Sequence, residues 1–283
     1  MNDLRLRRIF ERAALCRAFE NECFRRIKSG AIKIPTYLSA GQEYIPATLS
    51  VCLEEWGIKD LQIFIQHRGH SQYLCFGGDM DALVLELLGD ARGCAGGMGG
   101  SASIQSVQAN IFGHDGLMGT QVPIAVGACY ANRKPTICFM GDAAAEEDYV
   151  LAAFGWAATK RLPILFVVED NDLAILTEKQ VRRSWNIAKV VGAFGIEAHD
   201  IEDDPTRIER ALCDVAAVKE LALPVMLNVH TTRLFWHAGA GQDDGLKFDR
   251  HRSLAQHVGY HAAHINQAAR DKVKEVWQRH CGT

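Results

Sequence analysis

The sequence predicts an α/β protein built on a doubly wound, mostly parallel sheet with helices on both faces. One observation is that short apolar segments alternate with segments of helical periodicity along most of the chain. A second is that two neighbouring apolar segments are followed at once by polar residues, at the position where such sheets bind ligands. Because no linker or internal repeat divides the sequence, we expect one domain over residues 1–283.

The first part of the chain is expected to be mainly helical. Apolar residues at helical spacing predict a long amphipathic helix over Leu4–Lys28 and a second helix over Gln42–Glu54. A short strand is predicted over Leu61–Gln66 and a helix over Asp81–Leu88. The glycine-rich segment Gly93–Gly100 cannot form regular structure, so we expect a loop whose backbone lies close to another group.

The rest of the chain alternates between buried strands and helices. Apolar runs of strand length predict strands over Thr136–Met140, Ile164–Glu169, Ile196–Asp200 and Val225–His230. Helical patterns predict helices over Gln121–Ala131, Asp148–Thr159, Ser184–Gly195, Thr206–Leu221, Leu246–Val258 and His261–Arg279. This alternation is typical of a parallel sheet whose helices cover both faces.

The composition is that of an ordinary globular protein, with 48% hydrophobic and 23% charged residues. A net charge of -3 provides no basic field for nucleic acid, and the apolar stretches are too short to span a bilayer. The nine cysteines form no CxxC pair and no pair with metal-ligand spacing. Their odd number, without a signal peptide, predicts a location in the reducing cytoplasm.

Two adjacent predicted strands end in polar residues that core packing would not select. These residues are Gly141–Ala144 after the first strand and Glu169–Asp172 after the second. Since one strand–helix–strand unit separates Asp142 from Asn171, both side chains are expected at the same edge of the sheet. Mg²⁺ prefers octahedral oxygen, usually from few protein groups plus phosphates and water. The pair therefore predicts a site for a magnesium-bridged diphosphate, although either segment alone could be a helix cap or a polar turn.

The two segments, GDAAAEEDYV and VVEDNDLAILT, resemble the thiamine diphosphate motif, in which a GDG precedes a paired-Asn signature by just under thirty residues. A wider resemblance, from about Tyr37 to Ala238, is to the alpha subunit of the decarboxylating component of 2-oxo acid dehydrogenases of the pyruvate, branched-chain and acetoin type. Five collinear segments make it specific: SAGQE (39–43), HRGH (67–70), GGMGGS (96–101), FGHDGLMGTQVPIAVG (112–127) and HTTRLFWHAG (230–239).

The resemblance implies a metal and diphosphate site. Asp142 and Asn171 match the side-chain ligands of magnesium, and Leu173 matches the residue that offers a backbone carbonyl to it. His67 and Arg68 match a Tyr–Arg pair that contacts the diphosphate, a role that suits Arg68 because guanidinium binds phosphate oxygens bidentately. A solvated loop charge is the alternative interpretation of Arg68.

The resemblance also implies which backbone groups contact the cofactor. Gly116 and Met118 match the positions that hold the aminopyrimidine ring, although Gly116 could simply serve a turn. Gly141 matches the first glycine of the GDG motif, and Ala143 and Ala144, which follow Asp142, would offer backbone N–H groups to the diphosphate at a helix N-terminus.

Two histidines are candidate catalytic residues. His237 matches a histidine near the diphosphate and the reacting carbon, with a surface histidine as the alternative. His114 is an extra imidazole beside the aminopyrimidine segment, and we hypothesise that it supplies proton transfer.

Several positions depart from the family pattern. Ala143 replaces the second glycine of GDG, and Asp170 replaces the first asparagine of the pair, which should add negative charge near the metal. Residues that replace a family histidine or glutamate are Tyr37, Ser103, Phe235 and Ala152. Because two of the missing histidines normally face the substrate or the acyl acceptor, the acceptor stays open between a lipoyl group and an aldehyde.

The resemblance implies an enzyme that decarboxylates a small 2-oxo acid with thiamine diphosphate and Mg²⁺. A beta-type subunit would supply the glutamate that activates the cofactor, so the lone chain should be inactive and two alpha and two beta chains should assemble. One alternative is a split transketolase-like or carboligase subunit that moves a two-carbon ketol unit from a ketose. Another is a non-catalytic scaffold partner of a beta chain. A NAD-binding protein is disfavoured because no GxGxxG follows an early strand.

Overall fold

A parallel six-stranded sheet is at the centre of the computed structural model, which describes residues 1–114, 116–214, 224–242 and 247–281. Its strands are β1 (Gln62–Phe64), β2 (Ile111–Phe112), β3 (Thr136–Gly141), β4 (Ile164–Asp170), β7 (Glu197–Glu202) and β8 (Val225–His230). The spatial order is β2-β1-β3-β4-β8-β7, and every neighbouring pair is parallel. A small antiparallel hairpin, β5 (Leu173–Ala174) and β6 (Thr177–Glu178), follows β4 in sequence.

Helices surround this sheet. They are α1 (Asp3–Lys28), α2 (Tyr44–Glu55), α3 (His70–Cys75), α4 (Met80–Leu87), α5 (Gln121–Asn132), α6 (Asp148–Lys160), α7 (Lys179–Arg182), α8 (Ile187–Ala193), α9 (Pro205–Asp214), α10 (Arg250–Val258) and α11 (Tyr260–Cys281). A single 3₁₀ turn, Ala144–Glu146, connects β3 to α6. In the part of the chain that the structure describes, no helix combines the length and apolar character needed to cross a membrane.

The central strands β3 and β4 are apolar over 137–140 and 164–168, because both faces of the sheet are covered there. Successive side chains of a strand point to opposite faces. On β4, Leu165 and Val167 pack into a cluster that includes α1, α2 and α11, whereas Phe166 and Val168 pack into a second cluster with α5, α6 and α8. Burying a side chain of this size stabilises the fold by about 1.5–3 kcal/mol, so both clusters hold β4 in place.

The predicted helices and strands are present, with shifted boundaries where local caps act. Helices α8 and α10 begin later than their predicted starts at Ser184 and Leu246, because Asn186 and Asp249 accept hydrogen bonds from the backbone of the first turn. Leu246 lies outside the described residues, as do residues 215–221 of the helix predicted over Thr206–Leu221.

The sequence pattern misses α3, α7, β2 and the β5–β6 hairpin. Both β2 and the hairpin strands contain two residues each, which is too short for periodicity to be recognised. Helix α3 begins with His70, Ser71 and Gln72, all buried, so it has no apolar stripe to mark it. The HRGH segment therefore leads directly into a helix whose polar side chains point into the protein.

Candidate active site

The ends of β3 and β4 lie side by side. Gly141 and Glu169 are register partners in the two parallel strands, so Asp142 and Asn171 follow at the same sheet edge. Both line one cavity of about 210 Å³. The other sequence-predicted residues in its lining are His67, Arg68, Met118, Gly141, Ala143, Ala144, Leu173 and His237. Sequence segments from five separate parts of the chain therefore converge at this edge.

Gly116 and His114 lie just beyond that described lining. The Gly116 N–H donates a hydrogen bond to His114 Nδ1 at 2.9 Å, and the ring centroids of His114 and His67 are 6.0 Å apart. Gly116 has a φ of +101°, so the turn interpretation of this glycine also has structural support.

Asp142 is a buried carboxylate, 2% exposed, in contact with Arg182 Nη2 of α7. Burial raises the pKa of Asp142 and the nearby Asp170 raises it further, while Arg182 acts in the opposite direction. Arg182 also contacts Glu146 Oε1 at 2.6 Å and so bridges two acidic residues. A cation close to Asp142 would offset the cost of burying its negative charge and the repulsion from Asp170. Asp142 therefore has the surroundings of a metal ligand.

Asp170 is not among the described residues that line the cavity. Its buried carboxylate accepts hydrogen bonds from Lys179 Nζ at 2.7 Å and from Asn228 Nδ2 at 3.2 Å. The extra negative charge predicted near the metal ligands is therefore present, but it is paired with an ammonium group. Lys179 compensates the extra carboxylate, although some repulsion still reaches Asp142.

Asn171 is held by hydrogen bonds at both ends of its amide. Nδ2 donates to Gln42 Oε1 at 2.9 Å, and Oδ1 accepts from the backbone N–H of Leu173 at 3.2 Å. The turn thus brings Asn171 and Leu173, the two predicted oxygen donors of this segment, next to each other.

Glu169 lies behind these donors and is fully buried. Its Oε2 accepts N–H groups from Gln42 at 3.1 Å, from Gln72 at 2.8 Å and from Gln66. Burial raises the pKa of Glu169 from its ordinary 4.5 to about 7, while the three amides and Arg68 act in the opposite direction. This cluster was not predicted, because glutamines carry no motif signal.

A cluster of three rings includes His67 and His237 from the cavity lining. The ring centroid of His67 lies 5.1 Å from that of Tyr37 and 5.6 Å from that of His237, and Tyr37 and His237 are 5.3 Å apart. Burial, followed by the charge of Arg68, lowers the pKa of His67 well below 6.5, so this imidazole is neutral at neutral pH. Its buried Nε2 has no hydrogen-bond partner among the described residues.

Arg68 is 3% exposed, which rules out a solvated loop charge. Its Nη1 donates to the Leu38 carbonyl at 2.9 Å, and its Nη2 donates to the His237 carbonyl at 3.2 Å. His237 is half-buried and lines the cavity, so it is not a fully solvated surface histidine. Phe235 is buried and stacks on Phe24 at 4.7 Å, a packing role that replaces the family histidine.

The donor set fits a magnesium-bridged diphosphate. Two oxygen donors lie at neighbouring strand ends, a buried guanidinium lines the same cavity, and a 3₁₀ turn begins at Ala144. Among the described residues, no group of three or more His, Cys, Asp or Glu is arranged to hold a metal ion by itself. A metal at Asp142 would therefore need oxygens from a bound diphosphate, as Mg²⁺ sites commonly do.

A parallel α/β sheet with this donor set at adjacent strand ends defines the class of thiamine diphosphate-binding enzymes. The family model described as "Dehydrogenase E1 component" matches residues 11–275. The chain belongs to this family. Its members use thiamine diphosphate with a divalent metal ion, typically Mg²⁺.

Individual relatives agree with this assignment. The chain is similar to the pyruvate dehydrogenase E1 component subunit alpha of Rickettsia bellii, with 29% identity over 81% of this chain and 72% of that protein. The corresponding subunit of Rickettsia prowazekii is 30% identical over the same shares of the two chains. A solved transketolase mutant from Pichia stipitis matches with a TM-score of 0.59 and 16% identity, over 96% of this chain but only 45% of the transketolase.

These findings confirm the predicted family, the fold class and the cofactor class. The chain is an alpha subunit of the thiamine diphosphate-dependent 2-oxo acid decarboxylase type, and such a subunit implies a beta-type partner. The transketolase likeness concerns the fold alone, so the ketol-transfer alternative fits less well.

Proposed function

We propose that the cavity at the ends of β3 and β4 binds the diphosphate of thiamine diphosphate, and that the assembled enzyme decarboxylates pyruvate or a similar small 2-oxo acid. Pyruvate is the substrate in the names of the relatives. The observation that carries the proposal is the convergence of Asp142, Asn171 and Arg68 on one cavity. When bound, the cofactor supplies the electron sink for decarboxylation.

In this proposal, Asp142, Asn171 and the Leu173 carbonyl hold Mg²⁺. Asp142 brings the only negative charge among the three, and its burial makes a nearby cation favourable. Arg182 already contacts the Asp142 carboxylate, so the carboxylate would have to bind Arg182 and the metal ion at the same time.

The diphosphate would be bound by groups around the metal. Arg68 has a buried guanidinium group suited to phosphate oxygens, and the neutral His67, in the same lining, has a buried Nε2 without a described hydrogen-bond partner. The N–H groups of Ala143 and Ala144, next to Gly141, add donors at the start of the 3₁₀ turn.

The remaining proposed roles concern the ring and the substrate. The backbone groups of Gly116 and Met118 would hold the aminopyrimidine. His237 would transfer a proton near the reacting carbon, a role supported by its position in the lining and its contact with Arg68. His114, whose ring centroid lies 6.0 Å from that of His67, is a second candidate for proton transfer.

A beta-type chain would complete the site, in an assembly of two alpha and two beta chains. Exposed apolar side chains on α5 and α6, the helices before and after β3, support a partner surface. Ile124 and Tyr130 of α5 and Trp156 of α6 are each more than half exposed, and the Tyr130 and Trp156 rings lie 6.0 Å apart. We further propose that residues 1–283 form one thiamine diphosphate-binding domain and that the enzyme is cytoplasmic.

The test is to purify the chain with its beta-type partner and compare two aspartate variants. Asp142→Ala should weaken thiamine diphosphate–Mg²⁺ binding by more than about 100-fold, beyond the usual cost of changes outside the ligand set. Asp148→Ala is the matched control, because this exposed aspartate lies in the same connection and contacts only the Tyr149 backbone in its described hydrogen bond. Calorimetry gives the affinities, and the melting temperature shows whether each variant is folded.

Activity assays with the same preparations identify the reaction. Pyruvate, branched 2-oxo acids and hydroxypyruvate are supplied with an artificial electron acceptor, a lipoyl acceptor or aldehydes. Turnover of a 2-oxo acid is expected, and turnover of hydroxypyruvate alone would indicate ketol transfer. Failure to bind thiamine diphosphate in the assembled enzyme would overturn the proposal in favour of a scaffold.

A further inference from the structure

We propose that Gln42 and Glu169 act as positioning residues that fix the orientation of the Asn171 amide, so that its oxygen faces the metal ion. We name Glu169, Gln42 and Asn171 the amide relay. The inference rests on the metal role proposed for Asn171. It adds two residues that do not touch the metal themselves.

An asparagine can bind a cation through only one end of its side chain. Its oxygen is an acceptor, whereas its NH₂ group is a donor and repels a cation. A half-turn of the amide exchanges the two ends with little change in shape. Hydrogen bonds to a neighbouring group must therefore determine which end of the amide faces the cavity.

The buried Glu169 can fix the orientation of the amide through Gln42. Its Oε2 receives N–H groups from Gln42, Gln66 and Gln72, so this oxygen is an acceptor. Gln42 consequently turns its NH₂ group towards Glu169, at 3.1 Å, which leaves Gln42 Oε1 facing the other way.

The orientation of Gln42 in turn determines the orientation of the Asn171 amide. Because Gln42 presents an acceptor, Asn171 turns its NH₂ group towards it, and the two atoms are 2.9 Å apart. The Asn171 oxygen therefore lies at the opposite end of the amide, beside the Leu173 N–H at 3.2 Å. Gln42 is only 1% exposed, so water does not compete easily for either of its bonds.

Gln72 provides a control within the same cluster. It donates to the same oxygen of Glu169 at 2.8 Å, and its own carbonyl accepts the Gln66 backbone N–H at 3.2 Å. Its described hydrogen bonds do not include Asn171. Loss of Gln72 should therefore disturb the carboxylate and the fold without releasing the metal-binding amide.

The experiment compares Gln42→Leu with Gln72→Leu in the enzyme assembled with its beta-type partner. Mn²⁺ is titrated at saturating thiamine diphosphate, and free Mn²⁺ is measured by electron paramagnetic resonance. The Mn²⁺ dissociation constant should rise about 10- to 100-fold in Gln42→Leu, as expected for loss of an outer-shell partner, but stay close to wild type in Gln72→Leu. The melting temperature without metal and cofactor should fall similarly in both.

A second variant keeps the test independent of folding. Glu169→Gln preserves the shape of the side chain but can present a donor to Gln42, so it should also weaken Mn²⁺ binding. The proposal is overturned if Gln42→Leu and Glu169→Gln bind Mn²⁺ like the wild type, or if Gln42→Leu and Gln72→Leu weaken it equally.

Asp142→Ala in the same titration separates this inference from the proposed function. If Asp142→Ala abolishes Mn²⁺ binding while both relay variants keep it, only the amide relay is wrong. If Asp142→Ala also binds Mn²⁺ like the wild type, the metal site itself is wrong and the relay is overturned with it.

Discussion

Glu86 is expected to determine the shape of the glycine-rich loop, and replacing it by glutamine should strongly destabilise the protein. This buried carboxylate at the end of α4 accepts four backbone hydrogen bonds. Oε2 accepts the N–H groups of Ala95 at 2.7 Å and Gly97 at 2.8 Å, and Oε1 accepts those of Gly99 at 2.8 Å and Gly100 at 2.9 Å. The sequence predicted a loop close to another group, and Glu86 is that group.

The magnitude follows from the number of acceptors that remain. Glutamine keeps one oxygen and replaces the other by NH₂, so two backbone N–H groups lose their acceptor. Since a hydrogen bond to a charged group contributes about 1.5–3 kcal/mol, the free energy of unfolding should fall by roughly 3–6 kcal/mol. The loop has little room to adjust, because a Cβ on Gly97 would lie 2.6 Å from the Asp90 carbonyl oxygen.

Urea unfolding followed by circular dichroism measures this loss. Glu275→Gln is the control, because Glu275 is an exposed residue of α11 that pairs with Arg279 at 3.0 Å. The control should change stability by no more than about 0.5 kcal/mol. A loss below about 1 kcal/mol in Glu86→Gln would show that water replaces the carboxylate and would refute the reasoning.

Three further predictions concern the site. Lys179→Ala should destabilise the chain by about 3 kcal/mol because it leaves the buried Asp170 carboxylate without its ammonium partner, and adding Asp170→Asn should restore most of the loss in thermal unfolding. The pKa of Glu169, about 7 against an ordinary 4.5, means that the native state holds a proton that the unfolded chain releases, so stability of the cofactor-free protein should decline by roughly 3 kcal/mol as pH rises from 4.5 through 7. Glu169→Gln should remove that decline in melting curves recorded across this range, and an unchanged slope would contradict the assignment. His114→Ala should lower turnover about 100-fold at saturating cofactor without changing cofactor affinity, and unchanged turnover would remove its role in proton transfer.

The strand-end part of the site is predictable because its signals are local. Each apolar run specifies a buried strand, and the polar residues that follow mark its end. Parallel crossovers then bring the strand ends to one edge, so the sequence alone predicts that Asp142 and Asn171 lie together.

The residues that support those ligands could not be predicted in this way. Gln42, Gln66 and Gln72 reach Glu169 from segments far apart in sequence, and nothing in a single glutamine distinguishes it from a surface residue. Arg182 is hidden for a similar reason, since α7 is a four-residue helix without a periodic pattern. Such contacts depend on how the layers pack, not on local spacing.

Asp170 shows how the charge of the motif is balanced by that packing. An aspartate in place of asparagine adds a negative charge beside the metal ligands, which by itself would increase repulsion at Asp142. Lys179 lies 2.7 Å from the added carboxylate, and Arg182, on the same short helix, contacts Asp142. Because the pKa of Asp142 still remains raised by burial and by Asp170, the two cations do not cancel the acidic charge completely. A divalent ion at Asp142 would supply the remaining positive charge, so this departure from the family pattern is compatible with metal binding.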